Sequence, residues 1–524
     1  MADKSGSEFV EDATETVHDS NVVAKPTYKV GADVDDALQL ALTDTEVSWS
    51  EEEERKVVRK IDWVLLPVLF LGTLIGYADG QAFGFSALFG LVQDLKLFTV
   101  SLVNGQPVVD ESKYQLAAGI VSLGGAAGQY PLLYLAQHLP SGIVYGASIV
   151  YVGTLAILTI ACTNFKQIMA LRFFYGFSQV LQPMAIIIVA MWWKTSEQPL
   201  RLGLIIAGNA LGSLAGNGVD FGAIKIKGPY AASPWKWIYV ILGPCAMAVG
   251  IATLLMLPST PVKAWFLTPR ERKIAILRLR SNNTGVHTRK FKWKQALSTF
   301  LDPQLWALLV FSFTFSFSNV AISSFGGFLV SSFGYSAERS LLLFMPASAM
   351  ALVCILAAGV IGNRFPQHRL IVAVCFIIPS LVGSLMIWKL DRHSKSALLA
   401  GLYISTMFYG ALVQHYSLLA ANIAGHSKKT VTNATITIMA ALGGFCGPWA
   451  YRSDQAAENY RDGQIANLSL MAASIFAYIF LWFYYTYQNK KRAASLADNQ
   501  HTIDPNVAFM DLTDRENPTF VYTR

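Results

Sequence analysis

The sequence predicts an all-α integral membrane protein of about twelve transmembrane helices, and three observations carry that prediction. Hydrophobic residues make up 53% of the 524 residues and charged residues only 14%, whereas a soluble domain carries about 25% charged residues. The apolar residues are gathered into blocks of about twenty residues with hardly a charge, the length that crosses a hydrocarbon core of about 30 Å as a helix. The blocks also form two sets, separated by a basic interval.

Six spans are predicted on each side of that interval. The first set lies near residues 62–91, 114–134, 142–161, 166–191, 201–220 and 236–257, and the second near 303–328, 341–361, 369–389, 396–421, 431–451 and 463–487. This layout is typical of carriers built from two related halves, with the solute site between them. We therefore expect a disordered cytoplasmic segment at 1–60, six-helix bundles at 61–257 and 303–487, a basic cytoplasmic linker at 258–302 and a cytoplasmic tail at 488–524.

The positive charge of the chain is unevenly distributed. The formal net charge is +7, and the basic residues concentrate between Lys263 and Lys294 and after Gln488. Loops rich in lysine and arginine remain on the cytoplasmic side of a membrane. The pattern predicts that the linker and both termini are cytoplasmic, and it favours a membrane surface over nucleic acid as the partner of these charges. We expect the plasma membrane rather than a vacuolar or other internal membrane.

Signatures of catalysis are missing from the sequence. It contains no glycine-rich phosphate loop with its lysine, no paired metal ligands and no nucleophile elbow. Its five cysteines lie singly in or beside apolar blocks, which indicates a packing role. We expect a monomer that is not an enzyme and holds no cofactor or metal, with a small-molecule substrate and the lipid bilayer as partners and a proton as a candidate coupling ion.

A few polar residues inside the predicted spans are the candidate substrate-binding residues. An ionisable side chain at membrane depth costs roughly 2.5–3.5 kcal/mol on insertion scales, so those that remain there are candidates for function. The candidates are Asp79, Arg172, Gln179, Asn319, Gln414, His415 and Asn433. For Asp79 and Arg172 the alternative is a pair that only holds two helices together. For Gln179 it is an interhelical hydrogen bond, and for His415 a hydrogen bond to a neighbouring carbonyl instead of proton coupling.

Small residues recur at helical spacing in two spans. Gly208, Gly212 and Gly216 are spaced by four in the fifth span, and Gly124 and Gly128 lie in the second. Such spacing lets helix backbones approach closely in lipid. The pattern predicts close helix packing, and the same faces could also slide during a conformational change.

Several stretches resemble the allantoate permease subfamily of anion:cation symporters, found largely in fungi, within the major facilitator superfamily. The stretches include Tyr77-Ala78-Asp79, Leu171-Arg172-Phe173, Trp192-Trp193-Lys194, Gly425-His426-Ser427-Lys428-Lys429-Thr430 and Asp511-Leu512-Thr513-Asp514-Arg515-Glu516-Asn517. The resemblance implies the major facilitator fold, two six-helix bundles, and a transporter that moves a small organic solute, an organic anion or related nutrient, by alternating access.

Two departures from the family pattern bear on the solute and on coupling. Where the resemblance implies an anion-binding arginine in the first span, Asp79 is followed by Gly80, and where it implies a proton-coupling glutamate, the fourth span has Gln179. Glycine cannot pair a carboxylate, and glutamine does not titrate. A neutral solute, facilitated diffusion, coupling through another group, and export of a fungal secondary metabolite therefore stay open. A transporter-like receptor is a further alternative, although neither terminal segment is long enough for a large signalling domain.

Overall fold

The computed structural model describes most of the chain. The described residues are 49–103, 106–194, 197–230, 232–279, 292–391, 393–452, 455, 460–498, 513–517 and 520–524. Most of the predicted segment 1–60 lies outside them.

The amino-terminal half consists of six long helical spans, which we number in chain order. The first runs over Glu51–Ser86 and continues through a π-helical stretch, Ala87–Leu91, and Val92–Asp94. The second is Ser112–His138, and the third is Ser141–Ile160. The fourth joins Phe165–Tyr175, a 3-10 stretch at Gly176–Val180, and Leu181–Trp192. The fifth and sixth are Gln198–Ala223 and Trp235–Met256.

The carboxy-terminal half repeats the number of spans. The seventh to ninth are Pro303–Ser332, Ala337–Arg364 and Arg369–Lys389; the tenth joins Lys395–Ser405 and Phe408–Asn422; the eleventh and twelfth are His426–Cys446 and Arg461–Asp498. Short 3-10 stretches lie at Pro366–His368 and Gly447–Ala450. Between the halves, the linker contains a 3-10 turn, Pro261–Lys263, and the helices Pro269–Leu279 and Trp293–Ser298.

The predicted count of about twelve spans agrees with these helices. Within the described residues, eleven helices are long and apolar enough to cross a membrane. The helix Ser112–His138 makes the twelfth, and at 1.5 Å per residue its 27 residues also exceed the thickness of the hydrocarbon core. The all-α integral membrane fold with two sets of six helices is therefore confirmed.

The first helix begins earlier than the hydropathy pattern predicts. Ser50 caps it by accepting from the Glu53 backbone N–H, and the Glu53 carboxylate accepts from the Ser50 N–H in return. Acidic residues in the first turn also interact favourably with the helix dipole and stabilise the start of the helix. The polar residues from Glu51 onward therefore extend the helix beyond the lipid-spanning block, and the predicted boundary at residue 61 falls inside it.

A short β-hairpin follows the first span and was not predicted. Strand β1, Thr99–Val103, pairs antiparallel with β2, Gln106–Asp110, in a register that sets Thr99 opposite Asp110. Valine is abundant in both strands, and β-branched residues favour extended backbone. We call the end of the molecule that carries this hairpin the hairpin end, and the opposite one the linker end.

The glycine face of the fifth span packs directly on the first span, as its spacing predicts. A Cβ at Gly212 would collide with the Leu74 carbonyl oxygen, and one at Gly216 would lie 2.9 Å from the Ala78 Cα. Only glycine allows this approach, because any side chain would push the two backbones apart. The first and fifth spans are thereby fixed in register.

The buried apolar residues form one cluster common to both halves and one cluster within each half. The common cluster lies toward the hairpin end and joins Tyr114 and Trp235 to Phe325 and Tyr451. The other two clusters belong to the first and second half respectively. Polar contacts also cross between the halves near the common cluster: the Tyr114 hydroxyl donates to the Ser324 carbonyl oxygen at 2.6 Å, and the Gln115 amide to the Tyr451 carbonyl oxygen at 3.2 Å.

Candidate functional site

A small cavity in the amino-terminal half contains two of the predicted residues. Asp79 from the first span and Arg172 from the fourth line it together with Tyr175 and Tyr239. Asp79 is buried, it interacts with the Tyr175 hydroxyl, and its Oδ1 has no hydrogen-bond partner. Both charged residues are turned into the protein rather than toward lipid, as the cost of an exposed charge in hydrocarbon requires.

Arg172 is held by contacts other than a direct ion pair. Its Nε donates to the Ala117 carbonyl oxygen at 3.2 Å, and its guanidinium carbon lies 3.9 Å from the centre of the Phe83 ring. Asp79 attracts it electrostatically, but no carboxylate of the described residues is within ion-pair distance. The guanidinium is therefore positioned by a carbonyl and an aromatic face, which leave its donor groups available to an anion.

Sequence reasoning missed a second buried acid beside this cavity. Asp220 and Asn217, both on the fifth span, are 0% exposed, and the described residues offer neither side chain a hydrogen-bond partner for its oxygen or nitrogen atoms. Asp220 interacts electrostatically with Asp79. The predicted fifth span ends at residue 220, whereas the helix continues to Ala223. Charge in the last turn of an apolar block was the signal that could have found it.

Two further predicted residues lie on spans four and seven. Gln179 is in the 3-10 stretch of the fourth span, and its side chain lies outside the described part of the chain. Asn319 Oδ1 accepts from the Tyr409 hydroxyl at 2.6 Å, and the asparagine also interacts with Tyr77 of the first span. Asn319 therefore lies where the two halves face each other, because its partner Tyr77 is two residues before Asp79 on the first span.

Gln414 and His415 lie in the interior of the carboxy-terminal half, apart from the Asp79 cavity. The Gln414 amide donates to the Ala358 carbonyl oxygen at 2.6 Å. His415 Nε2 is 3.0 Å from the Ser312 Oγ, and its Nδ1 is 3.0 Å from the Tyr478 hydroxyl. Because both ring nitrogens face neutral hydroxyl groups, this environment supports a packing role for His415 over proton exchange.

Asn433 lies in the second turn of the eleventh span. It is exposed, and its carbonyl oxygen accepts from the Thr437 hydroxyl at 3.0 Å. The structure therefore brings Asp79 and Arg172 together, places Asn319 near the first span, and leaves Gln414, His415 and Asn433 elsewhere.

At the linker end, many of the basic residues pair with acids of the amino-terminal half. Arg201 binds both carboxylate oxygens of Asp62, at 2.8 and 2.7 Å. Arg278, from the linker helix, is buried and binds Glu197 at 3.0 Å. Burial alone raises the pKa of the linker residue Glu271, but Lys60, at 2.6 Å, and the Thr268 N–H outweigh it and hold the pKa below its usual range. The linker is thus bound to this half rather than only covering the lipid surface.

The carboxy-terminal half has a separate ionic cluster at the same end. Lys428 Nζ lies 2.5 Å from the Asp302 carboxylate and 2.7 Å from that of Asp514, and all three side chains are almost completely buried. Gln304 donates to both carboxylates, and the Tyr522 hydroxyl donates to Asp514 at 2.6 Å. Residues 513–517 and 520–524, which we call the tail strap, are thereby bound to the ends of several spans.

The family model of the Major Facilitator Superfamily matches residues 69–448. The chain belongs to this superfamily. It is therefore a multi-pass membrane transporter and not an enzyme. Transporters of this superfamily bind small-molecule substrates.

Two curated relatives of this superfamily member are fungal transporters. An uncharacterised transporter of Schizosaccharomyces pombe is 31% identical over 491 residues, 93% of this chain and 91% of that protein. The allantoate permease of Saccharomyces cerevisiae is 30% identical over 504 residues, 94% of this chain and 90% of the relative. The resemblance to the allantoate permease subfamily is confirmed.

Solved structures of the superfamily share the fold. A bacterial homologue of the lysosomal transporter Spinster, in an inward-facing unoccupied conformation, has a TM-score of 0.58 at 14% identity and covers 82% of this chain and 97% of its own. The xylose transporter of E. coli has a TM-score of 0.58 at 12% identity, with coverage of 80% and 97%. At these identities the similarity shows the fold alone.

Proposed function

We propose that this transporter moves a small organic anion, a carboxylate or related nutrient, across the plasma membrane by alternating access. The observation that carries the proposal is Arg172, a guanidinium inside the amino-terminal half with no carboxylate of the described residues within ion-pair distance. A guanidinium presents paired donors that match a carboxylate. One relative is named for allantoate, which supports a solute of this class.

The distribution of contacts between the halves supports alternating access. The halves meet at the hairpin end through Tyr114, Gln115 and their partners, whereas the described ion pairs at the linker end each join residues of one half and its attached segments. Such an arrangement lets each half move as a unit at the linker end.

Export of a secondary metabolite is the second candidate. It is favoured by Gly80 and Gln179, the two positions where the chain lacks the anion-binding and proton-coupling residues that the resemblance implies. A carrier without these groups has less means of concentrating an anionic nutrient. Export from liposomes that are preloaded with solute distinguishes the two directions.

Uptake by proteoliposomes tests the proposal. The purified protein is reconstituted and offered labelled monocarboxylates, dicarboxylates, ureido acids and neutral sugars. We expect uptake of an acid and not of the sugars. Uptake should fall at least about tenfold in Arg172→Gln, the loss expected from one charge-assisted hydrogen bond of about 1.5–3 kcal/mol, and recover partly in Arg172→Lys.

The matched control is Arg339→Gln, which removes an exposed arginine from the start of the eighth span. It should transport like the wild type. Equal uptake by Arg172→Gln and the wild type, or uptake of neutral solutes alone, contradicts the anion site.

A further inference from the structure

Asp79 and Asp220 form a buried acidic pair whose hydrogen bonding is incomplete. Within the described part of the chain, neither oxygen of Asp220 has a hydrogen-bond partner, and Asp79 lacks one for Oδ1. An ionised carboxylate without hydrogen bonds or a counter-ion is among the most costly groups to bury. The neighbouring Asn217 amide, also without partners, is within one turn of Asp220.

Helix packing places the two acids side by side. The backbones of the first and fifth spans touch where Gly216 faces Ala78. Asp79 follows Ala78 in the chain, and Asp220 lies one helical turn beyond Gly216, on the same face of its helix. The two acids are therefore on adjoining turns of the first and fifth spans, next to the point where their backbones touch.

The local electrostatics oppose two negative charges at this place. Asp220 lies in the last turn of the helix that ends at Ala223, where the helix dipole favours a cation. The charged and titratable groups that face the pair are Arg172 from the fourth span, which attracts Asp79, and the phenols of Tyr175 and Tyr239. The eighth span contributes Ser348 and Met345 near this part of the fifth span, and neither titrates.

Among the described residues, the guanidinium of Arg172 attracts Asp79, whereas Asp220 has no cation of its own. Two carboxyl groups that share a low-dielectric site do not both ionise, and they hold a proton between them. We propose that Asp79 and Asp220 form the proton-exchange site of this transporter, with Asp220 carrying the proton in the present conformation. The pair would supply the titrating group that the fourth span lacks at Gln179.

The coupling part of this inference rests on the proposed function, but the binding of the proton does not. When the halves rearrange, the register of the first and fifth spans keeps the two acids together, while their access to water changes. An anionic solute that binds Arg172 weakens the attraction between Arg172 and Asp79, and this favours protonation of the acidic pair. Proton and anion would thereby travel in the same direction.

Infrared difference spectroscopy of the purified full-length protein tests proton binding without any solute. The wild type should show the carbonyl stretch of a protonated carboxyl group near neutral pH, and the band should disappear in Asp220→Asn. The control is Asp462→Asn, at an exposed acid, which should retain the band. A band unchanged in folded Asp220→Asn, or a band abolished by sodium at constant pH, overturns the proton site.

Transport measurements test the coupling. With an imposed gradient of about one pH unit, one coupled proton supports about tenfold accumulation of the solute. Asp220→Asn should retain exchange of labelled for unlabelled solute but lose the accumulation, and Asp220→Glu should recover it. If Asp220→Asn does not fold, the Asp220→Glu variant still decides, because it must keep both the band and the accumulation.

The two proposals fail in different ways. Absence of uptake of every organic anion by the wild type contradicts the proposed function, while the infrared band still decides the proton site. Uptake by the wild type that does not depend on the proton gradient overturns the coupling, whether or not the infrared band is present.

Discussion

At the residue scale, the partners of a polar side chain distinguish a candidate for function from a packing residue. Their depth in the predicted spans makes both Asp79 and His415 candidates for function. The structure separates them, because Asp79 has an oxygen without a partner whereas both His415 nitrogens face hydroxyl groups. Ser312 also donates to the Leu308 carbonyl oxygen, so the neutral tautomer with its proton on Nε2 satisfies every group in the contact.

We therefore predict that His415→Phe lowers stability without changing the pH dependence of transport. The new ring keeps the stacking on Phe311, which lies 4.7 Å away between centroids, but loses two hydrogen bonds, about 1–3 kcal/mol in total. Thermal unfolding in detergent and a pH series of uptake measure the two effects. His368→Phe, at an exposed histidine, is the control. A flattened pH profile in His415→Phe would identify His415 as a coupling group.

At the element scale, two features fix how helices pack: the glycine face of the fifth span and the tail strap. The first acts by removing side chains between backbones. The second acts by neutralising charges at the linker end of the carboxy-terminal half, where Arg492 also binds the Phe520 carbonyl oxygen at 2.6 Å and Asn489 binds the Tyr522 backbone.

Gly212→Ala should destabilise the protein by about 1–3 kcal/mol, because its methyl group meets the Leu74 carbonyl oxygen and the packing cannot relax without separating two spans. The control is Gly203→Ala on the same helix, where a Cβ meets nothing within 4 Å. That variant should be neutral or slightly stabilising, since alanine favours a helix over glycine. Equal melting temperatures for the two variants would contradict the close packing of the spans.

Asp514→Asn should destabilise the carboxy-terminal half strongly. It removes one of the two carboxylates that hold buried Lys428, and breaking a buried ionic cluster costs about 3–5 kcal/mol. The thermal unfolding midpoint in detergent measures the loss. Glu516→Gln is the matched change at an exposed acid of the same turn, and its amide oxygen can still accept from the Thr513 N–H. A midpoint unchanged in Asp514→Asn would show that the strap does not dock.

At the scale of the whole molecule, the orientation in the membrane depends on charge bias. Lys225 lies at the hairpin end, after the fifth span, and Lys263 lies in the linker. The structure reduces the number of free positive charges at the linker end, since Arg201 and Arg278 are paired with acids. Lysine and arginine direct topology regardless of these acids, because acidic residues contribute little to the rule.

Labelling in intact cells checks that orientation. In a variant without its native cysteines, a cysteine at Lys225 should react with a membrane-impermeant maleimide, and one at Lys263 should react only after permeabilisation. Both positions are exposed, so accessibility to the reagent is the only difference between them. The reverse pattern would place the hairpin in the cytoplasm and the linker outside.

The sequence by itself determined that this protein lies in a lipid bilayer, how many spans it has, how they divide into two sets, and which family it belongs to. In lipid, the backbone of a long apolar block satisfies its hydrogen bonds by forming a helix. The spacing of Gly208, Gly212 and Gly216 predicted a close helix contact but not which helix is the partner. Tertiary structure alone decided that this partner is the first span, and that Asp220 lies beside Asp79. Lys428 and Asp514 are far apart in the chain, and the sequence also does not predict their contacts with each other and with Asp302. The reason is physical: hydropathy reports the depth of a residue in the membrane, whereas charge compensation depends on which helices touch and which faces they present.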